Sequence, residues 1–381
     1  MGRLPPCDQR QHGTVLRYSR RWRSALIVTL AAWLHDIDPF LIRFSGDFGL
    51  RWYGLSYAAG FVLAWLALRF LAGRGAVLIP KDRLSDAIIY AALGAVVGGR
   101  LGYVLFYQPS LLWTITDAFP FWGVLSLNHG GMASHGGMIG VAIAAFLVSR
   151  GFKDEQGVRS EPVPLLHVFD LYALVAPFGL MLGRIANFIN GELLGKVVAK
   201  PGEEAPWWAV RFPQEIGSGH DLGLRTPEQE RQLTALLDTY RLPDQPAGAG
   251  LQHIIENIQS GSTEAARQLE PLLSARVPSQ LIQAIAEGVV LGLVLWIIAH
   301  KPRQPGVISA WFLICYGVLR IATEFVRLPD PGISGLFGLS RGQTLSSIMI
   351  LLGIALLAGV VRRSAPKVGG WGRGSPVDQS A

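Results

Sequence analysis

Cysteine and charge are scarce in this 381-residue chain. Its two cysteines, Cys7 and Cys315, exclude a disulfide-stapled scaffold and a structural zinc site, both of which need more ligating sulfur. Cys315 lies in an apolar run and reads as a packing residue. Cys7, in RLPPCDQ, lacks the preceding apolar stretch of a lipid-modified signal peptide. Only 16% of residues are charged, against about a quarter in an ordinary soluble domain. That balance argues against a soluble enzyme, and no nucleic-acid partner is expected. No internal repeat is long enough to indicate an inverted-repeat transporter.

Hydrophobic residues fill the space that charge leaves: half the chain is apolar and the mean hydropathy is +0.34. A polytopic membrane protein is the class that fits. Runs of spanning length fall at about 53–72, 85–107, 133–149, 166–189, 279–299, 306–327 and 343–361. ALIVTLAAWL, residues 25–34, is too short to span and reads as interfacial. Lys and Arg gather in the loops after the first, third, fifth and seventh spans, whereas residues 108–132 contain neither. By the positive-inside rule those spans end in the cytoplasm, so the N-terminus is outside and the C-terminus inside. The long segment 190–277 then lies outside, with amphipathic helices in TPEQERQLTALLDTYRL and EAARQLEPLLSA. Residues 1–35 form a basic N-terminal extension, 36–363 the seven-helix core with its 190–277 loop, and 364–381 a cytoplasmic tail.

The polar residues inside these spans are expensive in hydrocarbon, at roughly 2.5–3.5 kcal/mol for a central arginine. At 1.5 Å of rise per residue they converge on the outer half of the membrane. Arg100, Arg184, Arg320 and Glu324 lie deep in spans that start inside, and Tyr53, His135, Gln280 and Gln343 open spans that start outside. Arg184 and Asn187 share a helix face, as do Arg320, Glu324 and Arg327. Gly94, Gly98 and Gly102 recur every four positions, as do Gly136 and Gly140, a spacing that admits close helix contact. Glycines around Arg184 and Glu192 indicate that the fourth helix ends there and frees backbone N–H groups. Each residue has a plainer reading. Arg320 and Glu324 could neutralise one another, Arg184 could snorkel, His135 could be a satisfied helix-end histidine and Tyr53 an aromatic-belt residue. As a set, arginines with few balancing carboxylates at one outer level suit the phosphate of an anionic lipid. They do not by themselves define a reaction.

The stretch that carries most is GRIANFINGELLG, Gly183–Gly195. It resembles the signature of the prolipoprotein diacylglyceryl transferase family. LRWYGLSY (50–57), GGRLGYVLFY (98–107), SHGGMIG (134–140), PSQL (278–281) and YGVLRIATEFVRLPD (316–330) resemble further family segments in the family's order. The resemblance implies an all-α polytopic membrane protein of seven transmembrane helices, with a periplasmic head built from the loop between spans four and five. It also implies transfer of the sn-1,2-diacylglyceryl group from phosphatidylglycerol to the lipobox cysteine of a prolipoprotein signal peptide, at the bacterial inner membrane. By the resemblance Arg184 and Arg320 are the phosphate-side arginines and His135 the base for the thiol. Tyr53, Arg100, Asn187, Asn190, Glu192, Gly195, Glu324 and Arg327 complete the expected lipid site. No metal or cofactor is expected.

Departures from the family pattern cluster before and inside the fifth span. Val277 stands where the family usually has a histidine, and Ile282 and Gln283 where Tyr and Glu are common. The 214–276 insertion is longer than usual, and His129 duplicates the His-Gly-Gly pattern of His135. The competing readings are an anionic-lipid-binding or transport protein, or a paralogue with altered donor or acceptor.

Overall fold

The computed structural model describes residues 32–45, 48–115, 121–126, 130–246, 248–328, 339–363 and 365–372. His129 and residues 25–31 of the expected interfacial stretch lie outside them.

The chain enters through strand β1 (Trp33–Leu34) and a hairpin of β2 (Phe40–Ser45) and β3 (Phe48–Arg51). Helices α1 (Trp52–Gly73), α2 (Leu84–Phe106), α3 (Ser134–Ser149) and α4 (Leu165–Ile189) follow. A loop domain holds β4 (Val197–Ala199), β5 (Val210–Arg211), α5 (Pro227–Tyr240), α6 (Ala249–Gln259), α7 (Thr263–Leu269) and β6 (Ala275–Arg276). Then α8 (Ser279–Gln283), a wide π turn (Ala284–Val290) and α9 (Leu291–Ile298) run on as one apolar stretch. Helices α10 (Val307–Glu324) and α11 (Arg341–Arg362) close the bundle.

Among the described residues six of these stretches are long and apolar enough to cross a membrane. The remaining one, α3, has 16 residues. That is about 24 Å of helix, short of a hydrocarbon core of about 30 Å. Length therefore carries a polytopic helical membrane protein, while the third expected span falls below the threshold. Outward faces agree with a bilayer: Ile143, Leu293 and Leu351 are exposed on helices whose other faces are also apolar.

Small residues decide the tightest contact. A Cβ on Gly94 or Gly98 would lie 2.4 Å from the carbonyl oxygen of Gly140 or Gly136 respectively. The two glycine rows expected from spacing thus mesh, and α2 and α3 touch backbone to backbone. Ionisable groups that sequence reasoning missed sit at the other end of α4. Asp170 accepts from Gly306 N (2.7 Å), Ser309 N (2.7 Å) and Ser309 Oγ (2.6 Å), capping α10 from a neighbouring helix. His167 Nε2 accepts from Leu78 N at 3.2 Å.

The loop domain leaves and rejoins the bundle at adjacent points. Its sheet has the order β1-β5-β6-β4, with β1 parallel to β5 and the other pairs antiparallel. Both expected amphipathic helices form, α5 with a capping box of Thr226 and Gln229, and α6 is an addition. Their apolar faces meet around Leu233, Ile254, Ile258 and Leu269. A buried ionic knot of Glu215, Arg276, Ser274, Arg225 and Asp221 ties β6 to the segment before α5. Burial opposes the Arg225 charge, and its bonds to Glu230 and Asp221 outweigh it and raise the pKa.

Both described chain ends pack on the rest of the fold. Trp33–His35, assigned to an N-terminal extension, are built into the loop domain: β1 pairs with β5, and the His35 ring packs on Phe188 and Phe212. Burial lowers the His35 pKa, so the ring sits there neutral. Residues expected to be a tail fold back, with Arg303 and Val368 pairing and Trp371 packing edge-on to His300.

Candidate active site

The signature loop begins in the last turns of α4. Gly191, at φ +66°, ends the helix where the glycines predicted. Three of the N–H groups expected to be free are bonded. Asn190 N bonds Ala186 O, Gly191 N bonds Phe188 O and Glu192 N bonds Asn187 O, so the end closes on its own carbonyls.

Asn187 is buried and organises the outer part of the site. Its Nδ2 donates to the Tyr53 hydroxyl at 3.3 Å and to Glu192 Oε2 at 3.2 Å. Asn190 Nδ2 donates to the other Glu192 oxygen at 3.0 Å. Gln280, at the start of α8, donates to the Glu192 backbone carbonyl. One turn deeper on α4, Arg184 places Nη2 at 2.9 Å and Nε at 3.0 Å from a single oxygen of Glu287. Tyr316 on α10 lies beside Arg184 and within electrostatic reach of Arg320. Arg320 pairs with Glu324, whose other oxygen accepts from Ser340 Oγ at 2.8 Å. Ser340 and Gln343 also form the capping box of α11. Arg184 and Arg320 thus come together from separate helices, each held by a carboxylate. Side chains of both arginines keep residual exposure, 16% and 11%.

Three chain segments cross at Gly195. It pairs with Arg327 as a β-bridge, and a Cβ would stand 2.1 Å from Val277 O and 3.1 Å from Val326 O. Only glycine lets α4, α8 and α10 converge at this point. Val277, one of the departures, serves the junction through its backbone, with N bonded to Lys196 O.

Arg100 departs from the expectation of a lipid contact. Its five N–H bonds go to the carbonyls of Val124, Gly130, Gly131, Gly123 and Ser126, at 2.6–3.2 Å. With its donors spent and 6% exposure, it holds the segment that leads into α3. His135 occupies the first turn of α3 and is exposed. Among the described residues no hydrogen bond or ion pair joins His135 to either arginine.

Glu287 and Tyr316 are the members that sequence reasoning missed. The signal that could have found Glu287 is that Gln280, Gln283 and Glu287 repeat at helical spacing. All three are fully buried.

The sequence as a whole matches a known family. The family model described as Prolipoprotein diacylglyceryl transferase matches residues 39–359. The chain belongs to that family. A relative from Bdellovibrio bacteriovorus named phosphatidylglycerol–prolipoprotein diacylglyceryl transferase is 43% identical over 360 residues, 90% of this chain and 98% of the relative. Relatives of the same name from Xylella fastidiosa (strain M23) and Burkholderia cenocepacia are 37% and 38% identical, covering 85% and 87% of this chain and 93% and 97% of theirs. Membership makes the chain a membrane transferase of lipoprotein biosynthesis.

Proposed function

We propose that this chain transfers the sn-1,2-diacylglyceryl group of phosphatidylglycerol to the lipobox cysteine of prolipoprotein signal peptides. The observation that carries this reading is the pair of arginines, Arg184 and Arg320, drawn from α4 and α10 to one end of the bundle beside the Asn187–Glu192–Tyr53 cluster.

The reaction needs a sulfur nucleophile and a stabilised phosphate. The cysteine sulfur attacks the glyceryl carbon that bears the phosphate oxygen. A carbon–sulfur bond forms, the carbon–oxygen bond breaks, and glycerol phosphate leaves with the electron pair. The thiol proton passes to a base, for which His135 is the candidate; a free thiol has a pKa of about 8.5, so a base raises the reactive fraction. Negative charge grows on the departing phosphate, and fixed arginines stabilise it most where it is largest. Glu192, held by two asparagines, and Tyr53 shape the lipid side. Arg100 acts one step away, through the segment before His135. Glu324 positions Arg320, and Arg327 and Gly195 lock the outer junction.

In this reading the enzyme sits in the bacterial inner membrane with seven spans, α3 completing the set by close packing on α2. Lys and Arg in the loops support an outer N-terminus, a periplasmic loop domain and a cytoplasmic C-terminus. Transport gains no support from Asp170 and His167, because both are spent on backbone N–H groups.

The test is a mass-spectrometric assay of purified protein with phosphatidylglycerol and a lipobox peptide. A diacylglyceryl mass gain on the peptide cysteine is expected, and its loss in Arg184→Ala. No gain from folded wild-type protein that still binds the lipid overturns the reading.

A further inference from the structure

Glu287 is the carboxylate that the chemistry does not call for. It is fully buried in the middle of an apolar stretch, and it carries the same sign of charge as a phosphate. One oxygen receives both Nε and Nη2 of Arg184; the other has no hydrogen-bond partner among the described residues. A buried charge in that state is costly, so its retention calls for a reason.

The backbone is arranged to deliver it. Ala284–Val290 form a wide π turn, a geometry that recurs at functional sites. The next residue, Gly288, has no room for a side chain: a Cβ would lie 2.4 Å from Met181 Cβ and 3.0 Å from Met181 Cα. Met181 sits one turn before Arg184 on α4. The wide turn therefore presses against α4 just where Glu287 can reach the guanidinium.

We infer that Glu287 is a positioning residue for the lipid phosphate site: it grips the Nε/Nη2 edge of Arg184 and leaves Nη1 aimed at the phosphate. An arginine has five donors in a rigid fork, so fixing one edge fixes the direction of the rest. Without the grip, the long side chain is free to turn toward the interface. The inference rests on the transferase reading above, and it makes a prediction that simple electrostatics reverses. If Glu287 were only a nearby negative charge, removing it would help an anionic substrate bind and react. If it aims Arg184, removing it costs turnover while the substrate binds no worse.

The test uses full-length enzyme in phosphatidylglycerol vesicles with a lipobox peptide, reading kcat and the KM for lipid. Glu287→Gln keeps size and loses charge, and Glu287→Asp keeps charge and loses reach. Both are expected to lower kcat at least tenfold, with the lipid KM within twofold of wild type or lower. Arg184→Lys has no fork to aim, so adding Glu287→Gln to it is expected to change kcat less than twofold. Turnover within twofold of wild type in either single variant overturns the inference, as does a further tenfold loss in the double variant. If Glu287→Gln fails to fold, Glu287→Asp alone decides. Wild-type protein that transfers nothing in this assay overturns the transferase reading and the inference together; active wild type with unaffected variants overturns the inference alone.

Discussion

Arginine serves opposite ends in this chain, and its neighbours decide which. Arg100 spends every donor on five backbone carbonyls, whereas Arg184 and Arg320 bind one carboxylate each and keep donors in hand. Sequence depth alone placed all three at one level, and depth cannot report what a guanidinium touches. That is why depth set Arg100 beside Arg184 and Arg320, although only the latter two keep donors for the proposed phosphate. Histidine poses the complementary problem. His135 stands exposed at the start of α3, with Arg100 holding the segment just before it. As the proposed acceptor of the thiol proton, it should contribute about 10²–10⁴-fold to turnover. His135→Gln is therefore expected to lower kcat by about 10²-fold or more. Raising the pH toward the thiol pKa should recover part of the loss, because more of the peptide is then thiolate without help. Near-normal turnover at neutral pH, at unchanged protein level, removes His135 from the role.

At the scale of elements, what could be read from sequence was whatever repeats locally. The glycine rows of α2 and α3 recur every four residues, and they mesh as that period requires. The two amphipathic helices of the loop domain showed themselves by period, and α6, with AGLQHIIENIQ, carries a comparable face that went unread beside them. Contacts between distant segments leave no such trace. Gly195 belongs to the signature, but its reason lies in Val277 and Val326, which are remote in sequence. A methyl group 2.1 Å from the Val277 carbonyl must push apart the ends of α4, α8 and α10. Overpacking of a fitted site costs about 1–3 kcal/mol, and here the shift also moves Glu192 and Arg327. Gly195→Ala is thus expected to lower the thermal midpoint in detergent and to abolish most turnover, read by tryptophan fluorescence and the peptide assay on one preparation. A variant with native melting and full turnover would show that the junction tolerates the shift.

For the whole molecule, the segregation of charge along the bundle axis is the property that sequence and structure express together. The basic loops 74–83, 150–159 and 301–303 and the segment after α11 belong to chain segments that contact one another: Leu78 meets His167, Val163 meets Ser149, Gly306 meets Asp170 and Arg303 meets Val368. The loop domain and the stretch 108–115 after α2 fall at the opposite helix ends, and no Lys or Arg occurs from 108 to 132. A chain inserted with that asymmetry keeps its basic end in the cytoplasm. The proposed orientation would put Arg184, Arg320 and the signature loop on the periplasmic side, where a precursor's signal peptide would meet the lipid. Single cysteines test it directly, in a background where Cys7 and Cys315 are replaced. Glu264 in the loop domain and Glu155 in the α3–α4 loop are both exposed, so both tolerate the change. In intact cells whose outer membrane has been made permeable, Glu264→Cys is expected to react with an impermeant maleimide, and Glu155→Cys only after lysis. The opposite pattern would place the arginines on the cytoplasmic face and separate them from any secreted precursor. Labelling at both positions in intact cells would mean that the loop between α3 and α4 is also outside. In that case the short α3 does not cross the membrane.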